Sequence, residues 1–176
     1  MHRLINQVRP YAWGAKEAIP RLLGAEPDGS PQAELWMGAH PAAPSTLLTG
    51  GGERTFDAFI ADSPKEVLGE DTVARFGERL PFLLKVLAAD APLSLQAHPD
   101  ESRARTGFAA EEAEGIPVDA ADRNYRDPFH KPELVLALEP FEALCGFRDP
   151  VAALGDLAGI RCELARRLRA DLAAPD

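Results

Sequence analysis

The stretch Pro92-Leu93-Ser94-Leu95-Gln96-Ala97-His98-Pro99 constrains the fold more than any other. Apolar and polar residues alternate along it, and successive side chains of a strand point to opposite faces, so it reads as a strand. Leu93, Leu95 and Ala97 pack, while Ser94, Gln96 and His98 share the other face. Gln96 and His98 then set an amide oxygen and an imidazole side by side. The later segment His130-Lys131-Pro132-Glu133, if also extended, turns Lys131 and Glu133 to a common side and adds a carboxylate. A histidine, a carboxylate and a neutral oxygen suit zinc or a similar divalent ion with positions left open, acting as a Lewis acid toward a substrate oxygen. The plain alternative is a half-exposed strand whose polar face is solvated.

Composition narrows the classes. A chain of 176 residues, 45% hydrophobic and 27% charged, is long enough for one domain with a core. Its formal charge of −9 argues against nucleic-acid or anionic-membrane binding, which need a dense basic surface. Cys145 and Cys162 are too few for a disulfide framework and read as small buried hydrophobes, which fits a reducing cytoplasm. The first residues lack the apolar core of a signal peptide, and no apolar run approaches the roughly twenty residues of a membrane helix.

Leu4 to Tyr11 reads as a strand limited by Pro10, Ala18 to Leu23 as a short helix leaving at Gly24, and Ala33 to Gly38 as a strand. Gly50-Gly51-Gly52 reads as a flexible break. Helical periodicity begins at Thr55, and Ser63-Pro64-Lys65-Glu66 resembles a capping box. Leu80 to Ala89 suits a strand buried on both faces, with Lys85 out of place, because burying an ammonium is costly without a partner. That lysine reads either as a functional group or as a side chain snorkelling from a strand end. Asp100 is expected to cap a helix through about Ala113, Ile116 to Asp122 to be an acidic loop, and Leu134 to Leu138 to be a buried strand. Beyond Asp149-Pro150, Leu154, Leu157, Arg161, Leu164, Leu168 and Leu172 recur every three or four residues and predict an amphipathic helix or helix pair. No phosphate loop, nucleophile elbow or paired-cysteine zinc motif is present in the sequence.

The residues Leu80-Pro-Phe-Leu-Leu-Lys-Val-Leu87, Pro92 to Asp100, Asn124-Tyr-Arg-Asp-Pro-Phe-His-Lys-Pro-Glu133 and Phe141-Glu-Ala-Leu-Cys-Gly-Phe-Arg148 closely resemble the type I mannose-6-phosphate isomerases. Tyr11-Ala-Trp-Gly14 and Ala33-Glu-Leu-Trp-Met-Gly-Ala-His-Pro41 match the same family. The resemblance implies a mainly β fold with helical insertions, a cupin-type β-sandwich (jelly roll), incomplete here. Residues 1–149 would form its amino-terminal part and residues 150–176 the start of a helical domain. It implies a cytoplasmic zinc enzyme of mannose metabolism, with one ion per chain, that interconverts mannose 6-phosphate and fructose 6-phosphate through an enediol. The metal would be held by Gln96, His98 and Glu133. Ser94, Lys85, His130 and Lys131 would line the pocket, Ser94 on the substrate and the other three in proton transfer and ring opening.

The same resemblance sets two departures. The family's fourth protein ligand and an active-site arginine are expected in a later half that this sequence does not contain, and neither His2 nor His40 lies in a matching segment. Glu101 stands where many relatives carry lysine. A sandwich left open is expected to expose strand edges and apolar surface and to self-associate. The alternative function is a non-catalytic metal- or sugar-binding cupin. An iron redox cupin fits less well, since such sites usually use two histidines and a carboxylate.

Overall fold

The single strand expected over Leu4 to Tyr11 is divided at Asn6 into β1 (Arg3–Ile5) and β2 (Gln7–Arg9), which enter different sheets. A computed structural model of the chain shows this and describes residues 2–93 and 95–174. Four further strands follow: β3 (Glu34–Met37), β4 (Thr46–Thr49), β5 (Gly52–Thr55) and β6 (Leu84–Leu87). They form two antiparallel sheets, ordered β1-β4-β5 and β2-β3-β6.

The division at Asn6 is held by a buried hydroxyl. Ser45, with no exposed surface, donates through Oγ to Asn6 Oδ1 at 2.9 Å and accepts from the Gly38 N–H at 3.0 Å, while its own N–H donates to the Gly38 carbonyl at 2.8 Å. One serine thus ties the β1–β2 junction to the end of β3 and the start of β4. Ser45→Ala is expected to cost about 1–3 kcal/mol, because two polar groups lose a partner they cannot replace. A urea midpoint that does not move would show that the junction is held by other contacts.

In the second sheet the register sets Gln7, Trp36 and Lys85 opposite one another, and Val8, Leu35 and Val86 likewise. The second set faces a core containing Ile19, Ala15 and Ala88. Ile19 comes from α1 (Ala18–Leu22), which leaves through Gly24 as expected. The first set lies on the opposite face with Arg9 and Glu34. Tyr11 to Gly14 turns tightly against this sheet, and a Cβ at Gly14 would lie 2.5 Å from the Ala33 backbone, so only glycine fits there.

Two expectations about strands near here change. β6 is shorter than predicted and is not buried on both faces: Lys85 and Leu87 lie on the face away from the core, and Leu84, although it shares the face of Val86, sits at the strand's start and is exposed as well. Gly50-Gly51 is the turn of a β4–β5 hairpin rather than a mere break, and Thr49 Oγ1 donates to the Gly52 carbonyl at 2.7 Å. Two glycines between short runs are a hairpin signal.

The helices follow their local signals. Past Thr55 come α2 (Phe56–Asp62), α3 (Pro64–Leu68) and α4 (Glu70–Phe76). Ser63 stands at the cap of α3 with Pro64 first in the helix, but its side chain makes no capping hydrogen bond. The chain divides into two compact units, the first ending at Ala97 and holding all six strands found among the described residues, the second beginning at His98. In the second, α5 (Glu101–Ala113) starts at Asp100, whose Oδ1 accepts from the Arg103 N–H at 2.7 Å. The expected helix pair is α6 (Pro150–Leu157), capped by Asp149, and α7 (Glu163–Leu172). Cys145 and Cys162 are exposed rather than buried.

The expected strands at 92–99 and 134–138 do not form among the described residues. Leu134, Leu136 and Leu138 are exposed, at 96%, 81% and 76%. An extended segment becomes a strand only where a neighbour takes up its N–H and carbonyl groups, and no described strand pairs with either one. More of the described residues therefore lie in helices than in strands, against the mainly β expectation. Among the described residues no helix is long and apolar enough to cross a membrane.

Candidate active site

Lys85 sits on β6 directly across from Trp36 on β3, so both project from one sheet face. Residues two apart on a strand share a face, which places Glu34 beside Trp36. Lys85 Nζ lies 4.7 Å from the Trp36 ring centre and 3.4 Å from Glu34 Oε2, and the same oxygen accepts from Trp36 Nε1–H at 2.6 Å. The Arg9 guanidinium carbon stands 5.2 Å from that ring, and the His40 ring meets it edge-on at 5.0 Å. Lys85 is therefore not a lone ammonium in an apolar strand. A buried carboxylate and an indole face compensate its charge, and its side chain is still 34% exposed. The result is an amine held in place yet open to solvent. Glu34 and Trp36 escaped the sequence reading as site residues; a glutamate between Ala33 and Leu35 in an apolar strand was the available signal.

His98 opens the second unit. Its Nδ1 lies 2.8 Å from the Lys131 carbonyl oxygen. A carbonyl only accepts, so this contact assigns the proton to Nδ1 and leaves the Nε2 lone pair available to a metal. Metal-binding histidines are oriented in this way, by a carbonyl or carboxylate on the other ring nitrogen. The segment carrying Lys131 is folded on itself. Lys131 Nζ donates to Asp127 Oδ1 at 2.8 Å and to the Phe129 carbonyl at 3.2 Å, and the Phe129 N–H donates to Asp127 Oδ1 at 3.0 Å. His130 and Glu133 are exposed. Thus His98 and Lys131 are brought together, with Glu133 two residues on, while Gln96 and Lys85 belong to the first unit and Ser94 lies outside the described residues. Among the described residues no three His, Cys, Asp or Glu side chains gather. The expected set contains only two of those types, with an amide oxygen as its third donor. Imidazole, carboxylate and amide oxygen are donors that zinc accepts.

Behind this segment lies a buried ionic clamp. Arg123, with no exposed side-chain surface, bonds from Nε to Glu111 Oε2 at 3.0 Å and to the Tyr125 carbonyl at 2.7 Å. Its other nitrogens reach Glu112 Oε1 at 2.8 Å and the Ile116 carbonyl, and its guanidinium carbon lies 5.1 Å from the centre of the Phe108 ring. Glu111 in turn accepts from the Asn124 and Tyr125 N–H groups at 3.0 and 2.7 Å and from the Asn124 amide at 3.2 Å. Burial pushes the Glu111 carboxyl upward, but these donors and the guanidinium outweigh it and hold the group below its ordinary value. A folded value below the unfolded one gives stability that is full above the ordinary carboxylate range and is lost as pH falls through the lowered folded value. Thermal melts taken from about pH 7 to about pH 3 should therefore fall less steeply in Glu111→Gln than in wild type. Parallel curves would show that this carboxylate is not linked to folding.

Residues 1–150 match the family model of the phosphomannose isomerase type I catalytic domain. The chain belongs to this family. Among its type I phosphomannose isomerase relatives, the mannose-6-phosphate isomerase of Salmonella typhimurium is 51% identical over 175 residues, covering 96% of this chain and 44% of that protein. The human mannose-6-phosphate isomerase is 38% identical over 151 residues, covering 80% of this chain and 33% of its own length. Solved structures agree with the fold. A zinc-bound mannose 6-phosphate isomerase superposes with a TM-score of 0.76 at 46% identity, over 96% of this chain and 44% of the other. The Salmonella typhimurium structure bound to substrate and zinc gives 0.79 at 46% identity, over 100% of this chain and 44% of the other. The chain thus spans less than half the length of these relatives.

Proposed function

We propose that this chain serves the zinc-dependent interconversion of mannose 6-phosphate and fructose 6-phosphate in the cytoplasm. The observation that carries this is the His98 ring, held by the Lys131 carbonyl so that Nε2 is the free nitrogen, within a family whose solved members contain zinc and bound substrate. Gln96, His98 and Glu133 would hold one zinc ion per chain, and the ion would supply Lewis acidity toward a sugar oxygen.

The chain's own groups account for the proton work. In an aldose–ketose isomerisation through an enediol, a base takes the proton from C2 of the open-chain aldose, the C1 oxygen gains one, and the C2 hydroxyl proton leaves as C1 is reprotonated. Lys85, Lys131 and His130 are the groups for this transfer and for ring opening, the choice of carbon base among them being open. Both lysines also offset the charge of the phosphate and of the enediolate, which a chain of charge −9 does not otherwise favour. Ser94 would contact the sugar. The architecture of this reading is a cupin-type β-sandwich with a helical domain starting at residue 150, and the exposed run from Leu134 to Phe147 supports self-association.

Metal analysis joined to an isomerase assay tests the proposal. About one zinc per chain, with turnover of mannose 6-phosphate, is expected. A folded, zinc-loaded chain that leaves the sugar unchanged overturns the enzyme reading in favour of a non-catalytic metal- or sugar-binding cupin.

A further inference from the structure

We infer that Glu111, in the far half of α5, and Arg123, in the loop that follows it, are positioning residues for the proposed metal-binding segment. The chain from His98 to Lys131 is a closed circuit. It leaves His98, enters α5 through the Asp100 cap, runs along the helix, turns back, and returns to the His98 ring at the Lys131 carbonyl. The clamp fixes the turning point. Arg123 closes the loop from Ile116 to Tyr125 by bonding both carbonyls, and Glu111 grips the N–H groups of Asn124 and Tyr125. The Tyr125 ring also lies against α5 at Gly107, where a Cβ would come within 2.5 Å of it.

Only the residues from Tyr125 to Lys131 remain to return to His98. Helical rise puts the second half of α5 about 10–15 Å from its start. Six residues reach about 20 Å when fully extended, and the turn built on Asp127 consumes part of that. There is little slack. A displaced Tyr125 moves the Lys131 carbonyl, and with it the partner that orients the His98 ring and the approach of Glu133. Buried charge at this depth is also expensive to maintain for loop anchoring alone, since apolar packing serves that purpose as well or better.

This inference rests on the reading of His98 and Glu133 as metal ligands, so the experiment separates the two. Glu111→Gln, Arg123→Lys, Gly107→Ala and His98→Ala are prepared in the full chain. Zinc affinity is measured by chelator competition and the visible spectrum of the cobalt-substituted protein is recorded, each on folded material. The clamp variants should bind zinc about 10–100-fold more weakly, as loss of a group orienting a metal ligand typically does, with a changed cobalt spectrum. A purely structural role would lower the melting temperature and leave affinity and spectrum as in wild type; that result overturns the inference. Gly107→Ala removes no charge, and its nearest contacts are all on the Tyr125 ring, so it carries the test if a charge variant fails to fold. If His98→Ala keeps full zinc affinity, the ligand reading itself fails. If His98→Ala loses zinc while the folded clamp variants do not, only the positioning role fails.

Discussion

If the proposed isomerase function holds, Lys85→Met is expected to reduce turnover by about 10²–10⁴-fold, the range that a positioned proton-transfer group supplies, while leaving the fold nearly as stable as before. The contrast follows from where Lys85 sits. Its ion pair with the buried Glu34 carboxylate spans 3.4 Å, but the ammonium side chain is a third exposed, so solvent screens the pair and its contribution is expected to be about 1 kcal/mol. Glu34 also keeps its 2.6 Å hydrogen bond from the Trp36 indole after the ammonium is gone. A change of that size moves the melting temperature by about 2–4 °C in a chain of this length. Lys85→Arg sharpens the reading, since guanidinium retains the charge but does not deprotonate in proteins. Turnover lost in both variants places Lys85 in proton transfer. Turnover restored by arginine makes its role electrostatic, and turnover retained by methionine shifts the chemistry to Lys131 or His130.

Arg123→Met should act in the opposite sense, costing about 3–5 kcal/mol of stability, because removing one member of a buried charge pair leaves the other uncompensated. Arg123 has no exposed side-chain surface and touches two carboxylates, two carbonyls and one aromatic face. The three N–H contacts that Glu111 receives from Asn124 and Tyr125 survive the substitution and place the loss toward the lower end of that range. Against the total stability of about 5–15 kcal/mol usual for a domain, the loss is large. Chemical denaturation of the two proteins side by side checks it. A difference under about 1 kcal/mol would mean that water and neighbouring donors replace the guanidinium.

These two residues also mark how far sequence reasoning reaches. Helix starts were legible because their causes are local: Asp100 caps α5 through its own Oδ1, and Asp149-Pro150 opens α6 in the same way. The strand at Glu34–Met37 was legible for a similar reason, a short run dense in β-forming residues. The segments at 92–99 and 134–138 were not, because alternation states which side chains would share a face but not whether another strand is there to pair. For Lys85 the residue was noticed and its surroundings misjudged. The apolar run around it suggested burial on both faces, whereas its partners come from a strand some fifty residues earlier in the chain. Arg123 gave no signal at all. It follows an acidic loop, and nothing in its neighbours reveals that it turns inward onto Glu111. The contact from His98 to the Lys131 carbonyl was equally hidden, since residue types speak for side chains and this partner is backbone.

That contact also sets the order in which this part of the chain assembles. It joins groups 33 residues apart, whereas the grip of Glu111 on Asn124 joins groups only 13 apart. Chain ends meet less often as the intervening length grows, by about (3/2)RT ln n in free energy, so the shorter circuit closes first and shortens the remaining search. Loop-closure entropy therefore favours zipping from the turn toward the open ends, with the contact at the His98 ring expected last. In the unfolded polypeptide no fixed carbonyl faces the ring; the partner that selects Nδ1 as the donor is supplied by folding. On the proposed reading of His98 as a metal ligand, readiness to receive an ion is thus expected late in folding, and a chain stalled before the last contact should carry the same donor atoms with a lower affinity.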